Sequence, residues 1–442
     1  MKAPLIATAA LGLWAQGTTA AISLTVNDDN SVKQAASTLA YGLMRYYTGN
    51  NTGDVPGNLP SPYYWWEAGA LFGTMVDYWY LTGDSTYNDP TMQALIHQAG
   101  DPGNFLPKNQ SLSEGNDDQG FWALAAMTAA ENVFPNPPSD KPQWLALAQS
   151  VFNQYVSRWE TKACGGGLVW QIFSWNKGND YKNSVANGCF FNLAARLSRY
   201  TGNSTYGDWA KKIYQWEEQV GLITNTSQVF DGIGFDVNTY QCGKVNNNQW
   251  SYNTALFMHG AAAMYNITKD DFWKSRLDGL LKDATTIFMK DGVPYEQYCE
   301  LAGFCDLNQV SFKGYLLRWL AGTTKMAPYT ADGIMKVIQS AAGAATSTCI
   351  GPVGPNFRGI DGTACGFGWT EKGKFDGKCE APATEASGGT SKGDPGAGQG
   401  SSNTQSELDA KTKPTPGGRF GAAVLTILLV GCVIGGSVSL VL

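Results

Sequence analysis

The sequence predicts an all-α protein, an (α/α)6 barrel of helical hairpins that contains disulfide bonds. Three observations lead to this prediction. A turn motif repeats along the chain, apolar helical runs flank the turns, and signals for β-strands are few. Self-similarity at a regular spacing is the sequence signature of repeat and toroidal architectures. An open α-solenoid of the same hairpins is the alternative.

The repeated turn is clearest in the segment TGDSTY at 82–87, which recurs as TGNSTY at 201–206. Related turns lie near Asn136, Asn266 and Met326, so neighbouring turns are 54 to 65 residues apart. Apolar runs such as AGALFGTMVDYWYL and NGCFFNLAARLSRY precede them and have the character of buried helices. One helix on each side of each turn gives about six hairpins. The segment GGGLVWQIF is the one candidate for extended structure.

The two ends of the chain predict a secreted protein that is anchored to a membrane. Residues 1–20 combine Lys2, an apolar stretch and a small-residue cleavage site, as a secretory signal peptide does. Residues 420–442 form an uncharged hydrophobic tail behind a polar spacer, which predicts a GPI-anchor signal that is removed. A buried N-terminal helix and an ordinary tail anchor are the respective alternatives.

Composition divides the rest of the chain into a folded part and a stalk. Residues 381–419 are rich in Gly, Ser, Thr and Pro and have almost no aromatic residues, which predicts a disordered stalk. Residues 22–380 remain as a single folded domain. The anchor is expected to be attached between residues 401 and 418.

The cysteines agree with an extracellular chain. Of nine cysteines, Cys432 lies in the removed tail, and an even number in a secreted chain predicts disulfides, in any of 105 pairings. The eight are Cys164, Cys189, Cys242, Cys299, Cys305, Cys349, Cys365 and Cys379. Cys299 and Cys305 are close enough to close a local loop. Without a C-x-x-C motif and with only two histidines, neither a metal nor a cofactor is predicted.

The glycosylation sequons fit an extracellular glycoprotein, and the net charge limits the class of partner. Five sequons predict glycans on the surface, at Asn50, Asn109, Asn203, Asn225 and Asn266. The net charge of −6 argues against a nucleic-acid partner and is compatible with a neutral polysaccharide.

Carboxylates are the expected acid–base groups. His97 and His259 both lie in helix-like stretches, and neither a G-x-S-x-G elbow nor a P-loop occurs. The segment SLSEGNDDQGFW instead places Asp117 and Asp118 side by side, just before a run of helix formers. Because Asn and Asp are common helix caps and suit the positive end of a helix dipole, capping alone would explain the pair.

Glycosidic bond cleavage is a reaction that would use both aspartates. One carboxyl group protonates the leaving oxygen, and the other attacks the anomeric carbon or activates water. Retaining enzymes hold the two groups about 5 Å apart, which adjacent residues at a helix start can reach. Such proximity should raise the pKa of one of them.

Aromatic residues next to polar groups are the candidates for sugar contacts. Trp65, Trp66 and Glu67 form the densest such cluster. Flat aromatic faces suit the C–H faces of sugar rings, and filling of the core is the alternative role for these side chains.

The segment EGNDDQGFWALAA resembles the Asp-Asp motif of glycoside hydrolase family 76, the endo-α-1,6-mannanases. Further stretches are similar to that family: WWEAG, CGGGLVWQ with YKNSVANG, and QWSYNTALFMHGA. The resemblance covers most of the folded domain and implies an (α/α)6 barrel, so that residues 22–380 would be a catalytic domain. Members with a signal peptide and a GPI tail are fungal cell-wall mannan endo-1,6-α-mannosidases.

The resemblance also implies roles for individual residues. Asp117 would be the nucleophile, and Asp118 the general acid and then the general base. Substrate-binding residues by position would be Trp65, Trp66, Glu67, Asn116, Lys182, Asn183, Asn187, Trp250 and Tyr252.

Three functions remain open at this stage. The first is an enzyme at the outer face of the plasma membrane and in the cell wall. It would act on an α-1,6-mannan or GPI-core glycan donor, as a hydrolase or as a transglycosylase with a β-glucan acceptor. A non-catalytic mannan-binding protein on the same scaffold is the second. A different (α/α)-barrel hydrolase is the third.

Overall fold

A computed structural model describes residues 22–108, 110, 112–351 and 357–371. The helices of this part are α1 Asp29–Met44, α2 Trp65–Thr82, α3 Asn88–Ala99, α4 Asn116–Glu131, α5 Trp144–Arg158, α6 Ser184–Thr201, α7 Ser204–Gln219, α8 Ser251–Thr268, α9 Asp271–Ile287, α10 Phe312–Met326 and α11 Ala331–Ser347. Its strands are β1 Tyr181–Asn183, β2 Gly232–Phe235, β3 Cys242–Asn246, β4 Met289–Lys290 and β5 Val293–Pro294. The predicted signal peptide, stalk and hydrophobic tail lie outside the described residues.

The predicted all-α fold built of hairpins is confirmed. The connections between α2 and α3, α4 and α5, α6 and α7, α8 and α9, and α10 and α11 fall at the five repeated turns. Gly83 and Gly202 end the first helices of two hairpins with φ of 76° and 72°, a left-handed conformation that glycine adopts at no steric cost. The described residues thus contain five complete hairpins and the single helix α1, which packs against α2.

The even-numbered helices form an inner ring in which α2 packs on α4, α4 on α6, α6 on α8 and α8 on α10. They are apolar on nearly all sides, and every residue of α6 from Ser184 to Ser198 is buried. The outer helix α7 buries only one face. Small residues allow the inner helices to approach closely: a Cβ atom on Gly188 would lie 3.2 Å from Leu256.

Side chains close the ring between its first and last helices. Arg318 of α10 donates from Nε to Asp77 Oδ2 of α2 at 2.6 Å and from Nη2 to the Gly73 carbonyl at 2.9 Å. At the other end of α2, Trp66 Nε1 donates to Asn308 Oδ1 at 2.9 Å. Because these contacts join residues about 240 positions apart, the open solenoid is excluded.

The sheet is small and differs from the sequence-based expectation. Strands β1, β2 and β3 form one antiparallel sheet, and β4 pairs with β5. The segment 165–173, expected to be extended, contributes only one bridge, between Gln171 and Gly115. Gly165 and Gly167 have φ values of 69° and 98°, which interrupt an extended strand.

Three disulfides are present among the described residues, and one expected partner is free. Cys164 pairs with Cys242 and Cys349 pairs with Cys365. Cys299 and Cys305 close the predicted local loop.

Cys189 is a buried free thiol, so the expectation of a disulfide there is wrong. It packs between α6 and α4, where a Cβ atom on Gly120 would lie 2.9 Å from its sulfur, and it fills this contact as a small apolar side chain. Cys379 lies outside the described residues.

The predicted glycosylation sites differ in accessibility. Asn50, Asn203 and Asn225 are exposed. Asn266 is half-buried and its Nδ2, the atom that would carry the glycan, donates to the Met326 carbonyl at 2.8 Å, which does not suit a glycan. Asn109 lies outside the described residues. Within the described part of the chain, no helix has both the length and the apolar character needed to cross a bilayer.

We expect the ring-closing ion pair to contribute strongly to stability. Replacing Asp77 with alanine leaves the mostly buried Arg318 without its carboxylate and should lower the free energy of unfolding by about 3 kcal/mol. Urea unfolding followed by circular dichroism measures this. Asp278→Ala, which removes an exposed i,i+4 partner of Lys274, is the matched control and should leave the midpoint nearly unchanged. Equal midpoints for both variants would contradict a closing role for Asp77.

Candidate active site

A cleft of about 460 Å³ opens where all five inner helices begin. Its lining includes a residue from the first turn of each: Trp66 of α2, Asp117 of α4, Val185 of α6, Tyr252 of α8 and Phe312 of α10. The inner helices are therefore parallel, and the positive ends of their dipoles meet at this cleft. Such an arrangement favours negative charge in the cleft.

Buried carboxyl groups satisfy the backbone and hydroxyl donors at four of these helix starts. Glu67 accepts from Tyr64 N at 2.7 Å and Asp118 from Gly115 N at 2.6 Å. Glu217 accepts from the Ser184 hydroxyl at 3.2 Å. Glu296 accepts from Ser251 N, also at 3.2 Å. Burial raises the pKa of Glu67, Glu217 and Glu296 to about 8, so these three are mainly protonated at neutral pH.

Asp117 and Asp118 lie in the first turn of α4 and both line the cleft. Asp118 accepts a hydrogen bond from the backbone N–H of Gly115, the residue before the helix, while Asp117 Oδ2 accepts from Trp170 Nε1 at 3.0 Å. The capping function and the cleft position therefore coexist in one pair. The second oxygen of Asp117 is buried without a hydrogen-bond partner.

Gly115 is required because both carboxylates border its Cα atom. A Cβ atom at this position would overlap Asp117 Oδ1 and lie 3.2 Å from both Asp118 Oδ2 and Trp170 Nε1. The two carboxylate oxygens are consequently less than about 6 Å apart, which is below the roughly 6.5 to 9.5 Å of inverting glycosidases. The separation fits a carboxyl pair of the retaining type.

The pair is poised to hold one proton. Burial raises the pKa of Asp118 to about 6, opposed by the hydrogen bond from Gly115. Burial and then the negative charge of Asp118 raise the pKa of Asp117 well above its ordinary value. The two carboxyls are close enough to titrate as a unit, so the pair keeps one proton after it has lost the first.

Glu114 is a third buried carboxyl next to the pair. Burial and the charge of Asp118 raise its pKa to about 9, and the nearby Arg158 lowers it. It is protonated at neutral pH, so its presence adds no charge beside Asp118. Although Glu114 stands in the quoted motif, nothing in the local pattern distinguished its buried position.

Asp231 is a cleft residue that sequence reasoning missed. It directly precedes β2, and its carboxylate accepts from Trp250 Nε1 at 2.9 Å, Tyr181 Oη at 2.5 Å and Asn246 Nδ2 at 3.1 Å. These contacts join the small sheet to the start of α8. Burial raises its pKa although the three hydrogen bonds lower it.

Aromatic rings form much of the cleft, and three of the predicted contacts are among them. Trp66, Trp250 and Tyr252 all line it. Tyr252 stacks on Phe312 with ring centroids 3.8 Å apart and an interplanar angle of 8°. Trp170, Tyr64 and the aromatic residues Phe121 and Phe312 complete this lining.

A turn before α10 supplies polar residues that the sequence reasoning also missed. Asp306, Asn308 and Gln309 line the cleft and follow directly on the Cys299–Cys305 loop. Asp306 Oδ1 accepts from Gln309 N at 3.0 Å, which shapes the turn. A polar run directly after a disulfide loop is the only sequence signal that could have indicated them.

Lys182, Asn183 and Asn187 do not line the cleft, contrary to their predicted role as sugar contacts. All three are buried. Lys182 Nζ donates to Glu160 Oε2 at 2.8 Å and to the Ala163 carbonyl at 2.7 Å. Asn183 caps α6. The segment YKNSVANG, which contains all three, is therefore a buried part of the structure that supports the cleft from outside its lining.

Asn187 shows what this support holds. Its Oδ1 accepts from Leu168 N at 2.7 Å and its Nδ2 donates to the Leu168 carbonyl at 3.1 Å. Leu168 lies two residues before Trp170, whose indole contacts Asp117. Asn187 and Lys182 thus position Trp170 through the 160–170 segment.

Trp65, Glu67 and Asn116 also serve other contacts. Trp65 Nε1 donates to Gln98 Oε1 at 2.8 Å, on the α3 side of α2. Asn116 is buried and its Nδ2 donates to the Val169 carbonyl at 2.7 Å. Glu67 accepts from the backbone N–H of Tyr64 at the start of α2. None of the three is part of the cleft lining.

A second cavity, of about 320 Å³, lies at the opposite end of the ring. Its charged residues pair with one another, as Arg196 does with Glu131 at 2.6 Å and Arg318 with Asp77. Unlike the first cleft, its described lining contains no two carboxyl residues that are adjacent in the chain. Among the described residues, no group of three or more His, Cys, Asp or Glu side chains is placed to hold a metal ion.

Comparison with known proteins agrees with this geometry. The sequence matches the model of glycosyl hydrolase family 76 over residues 31–388. Mannan endo-1,6-alpha-mannosidase DCW1 of Saccharomyces cerevisiae is 44% identical over 439 residues, which cover 94% of each chain. Mannan endo-1,6-alpha-mannosidase DFG5 of the same organism is 39% identical over 446 residues, covering 95% of this chain and 94% of its own.

Solved structures show the same fold. Dfg5 from Chaetomium thermophilum, in complex with glucosamine, is 41% identical with a TM-score of 0.79, over 94% of this chain and 92% of that one. An inactive variant of α-1,6-mannanase GH76A from Salegentibacter sp. HEL1_6, in complex with α-1,6-mannotetrose, has a TM-score of 0.62 at 14% identity. The match covers 93% of this chain and 99% of that one. Since the family match spans most of the sequence and the fungal relatives align along nearly its whole length, the chain belongs to glycosyl hydrolase family 76.

Proposed function

We propose that the protein is a retaining endo-α-1,6-mannosidase that uses Asp117 and Asp118 as its catalytic pair. The observation that carries this proposal is the pair itself: two adjacent carboxyls, less than about 6 Å apart, at the positive end of a helix in an aromatic cleft. The names of the fungal relatives supply the linkage, α-1,6-mannose.

The proposed reaction has two steps. A carboxylate attacks the anomeric carbon, the bond to the leaving 6-oxygen breaks, and the partner carboxyl gives its proton to that oxygen. The resulting glycosyl ester then reacts with an incoming hydroxyl, whose proton returns to the partner. Two inversions at the anomeric carbon leave the α configuration unchanged.

Asp117 as nucleophile and Asp118 as acid–base follow from the family resemblance. This assignment requires the proton that the pair shares to lie on Asp118 when the donor is bound. The pair titrates as a unit, and a glycosidic oxygen placed against Asp118 would favour protonation there.

We further propose that a sugar hydroxyl is the natural second reactant, so that the enzyme transfers the α-1,6-mannosyl unit of a GPI-core glycan to β-glucan. The predicted signal peptide, GPI anchor and cell-wall location support this version. They would place the enzyme where GPI-linked glycoproteins and wall glucan meet.

The two aspartates should both be essential and should be distinguishable by azide. Asp117→Asn keeps a group that can accept the Trp170 hydrogen bond, yet turnover of α-1,6-mannooligosaccharides should fall by about 10³-fold or more. With an aryl α-1,6-mannobioside whose phenol leaves easily, azide should give the β-azide from Asp117→Ala and the α-azide from Asp118→Ala, as NMR would show. The reverse pattern would exchange the two roles. An inverted product from the unmodified enzyme would contradict a retaining pair.

The pH profile of kcat/KM should be bell-shaped with its acid limb near pH 6. Activity rises through this pH because the pair must lose its first proton before it holds one charge, and it falls where the pair loses its second proton. Trp170→Phe removes a hydrogen bond that lowers the pKa of Asp117, so the alkaline limb should move to higher pH while the acid limb stays. An acid limb near 4 would contradict the raised pKa of Asp118.

Transfer should compete with hydrolysis when an acceptor is present. Incubation with an α-1,6-mannooligosaccharide and a β-glucan oligosaccharide should yield a mannosyl–glucan product, detectable by mass spectrometry and absent with Asp117→Asn. Free mannooligosaccharides as the only products at every acceptor concentration would limit the function to hydrolysis. Binding without any turnover by the unmodified protein would instead support the mannan-binding alternative.

A further inference from the structure

The loop closed by the Cys299–Cys305 disulfide exposes large apolar side chains next to the cleft. Tyr298, Leu301 and Phe304 are 43%, 55% and 53% exposed and lie within seven residues of one another. Exposed apolar side chains that cluster in this way mark binding surfaces more often than scattered ones do.

A continuous series of rings connects this loop with the cleft. Trp250, in the cleft lining, lies with its centroid 5.6 Å from Phe312 and 5.2 Å from Tyr298. Tyr298 lies 5.5 Å from Phe304. All three pairs are edge-to-face, and exposure increases from 5% at Phe312 and 7% at Trp250 to about half at the outer two rings.

The loop is held rigidly on the barrel. Besides the disulfide, Glu300 makes a buried ion pair with Lys313 of α10 at 2.7 Å, and Phe304 N donates to the Cys299 carbonyl at 3.2 Å. Side chains that are already fixed lose little conformational entropy when a ligand binds to them. The two outer rings are therefore a preorganised surface.

The chemistry of the loop favours a neutral sugar chain as the occupant. Cys305 directly precedes Asp306, Asn308 and Gln309, which line the cleft, so a chain leaving the cleft on this side meets the loop. Residues 295–307 contain no Lys or Arg, which disfavours an anionic lipid surface. Aromatic faces and edges pack against the C–H faces of pyranose rings.

We propose that Tyr298 and Phe304 form an outer sugar subsite, which binds hexopyranose rings of an extended glycan beyond the units that react. The inference rests on the proposed function, since it assigns the reacting units to the cleft. The bound rings belong either to the remote part of the mannan donor or to the glucan acceptor, and the same contacts would serve both.

Tyr298→Ala, Phe304→Ala and the double variant test this subsite in the purified protein. With α-1,6-mannohexaose as donor or a long β-glucan oligosaccharide as acceptor, the KM of the bound partner should rise about tenfold for each ring removed, with kcat unchanged. Kinetics on α-1,6-mannotriose without an acceptor should not change. Tyr200→Ala removes an equally exposed ring at the far end of α6 and is the matched control.

The pattern of effects identifies the occupant. A raised KM for mannohexaose alone assigns the subsite to the donor, and a raised KM for the glucan alone assigns it to the acceptor. Unchanged KM values for both long partners, or an equal loss on mannotriose, would overturn the proposal.

A binding measurement separates this inference from the proposed function. If the unmodified protein turns over neither donor, calorimetric titration with mannohexaose and with the β-glucan oligosaccharide still reports the subsite. A Kd about tenfold weaker in Tyr298→Ala than in Tyr200→Ala, for either ligand, would keep the subsite although catalysis had failed. Equal Kd values for both ligands would reject it.

Discussion

The parallel direction of the five inner helices is the constraint on which the site depends. Because α2, α4, α6, α8 and α10 all begin at one end of the ring, their unpaired amides and positive dipole ends converge there. Glu67, Glu217 and Glu296 meet this demand as protonated buried carboxyls. Asp118 does the same for α4 but borders the cleft, where its lower pKa makes it the readily ionised member of the set.

The pair of aspartates that we propose as catalytic is supported from behind by side chains that do not line the cleft. Lys182 and Asn187 fix the segment that carries Trp170, and the indole of Trp170 then holds Asp117. Gly115 contributes by lacking a side chain, which lets both carboxylates approach one point. Placement of the two acids therefore depends on a chain of contacts from the small sheet to the start of α4.

The sequence alone was sufficient wherever the determinants are local. Repeated turns with glycine in the left-handed conformation located the hairpins, and Asp117 and Asp118 are adjacent in the chain. It was insufficient where partners converge from distant segments. Lys182 was expected in the cleft from the family resemblance. It is instead fully buried, which is rare for a charged side chain, because acceptors from residues 160–166 enclose it. Asp231 and the 306–309 turn reach the cleft only through ring closure. Cys189 is buried in a contact between two helices, which an even number of cysteines in the sequence cannot reveal.

Much of the cleft wall comes from connections between helices, and such segments can change without disturbing the barrel. Trp170, Asp231 and the 306–309 turn are contributed by three connections between helices, whereas the aspartates belong to a helix packed on both sides. Surface connections accept insertions and substitutions much more readily than packed helices do. After gene duplication, copies of this barrel could therefore specialise for different glycan partners through their connections alone, while the reaction they perform stays interchangeable.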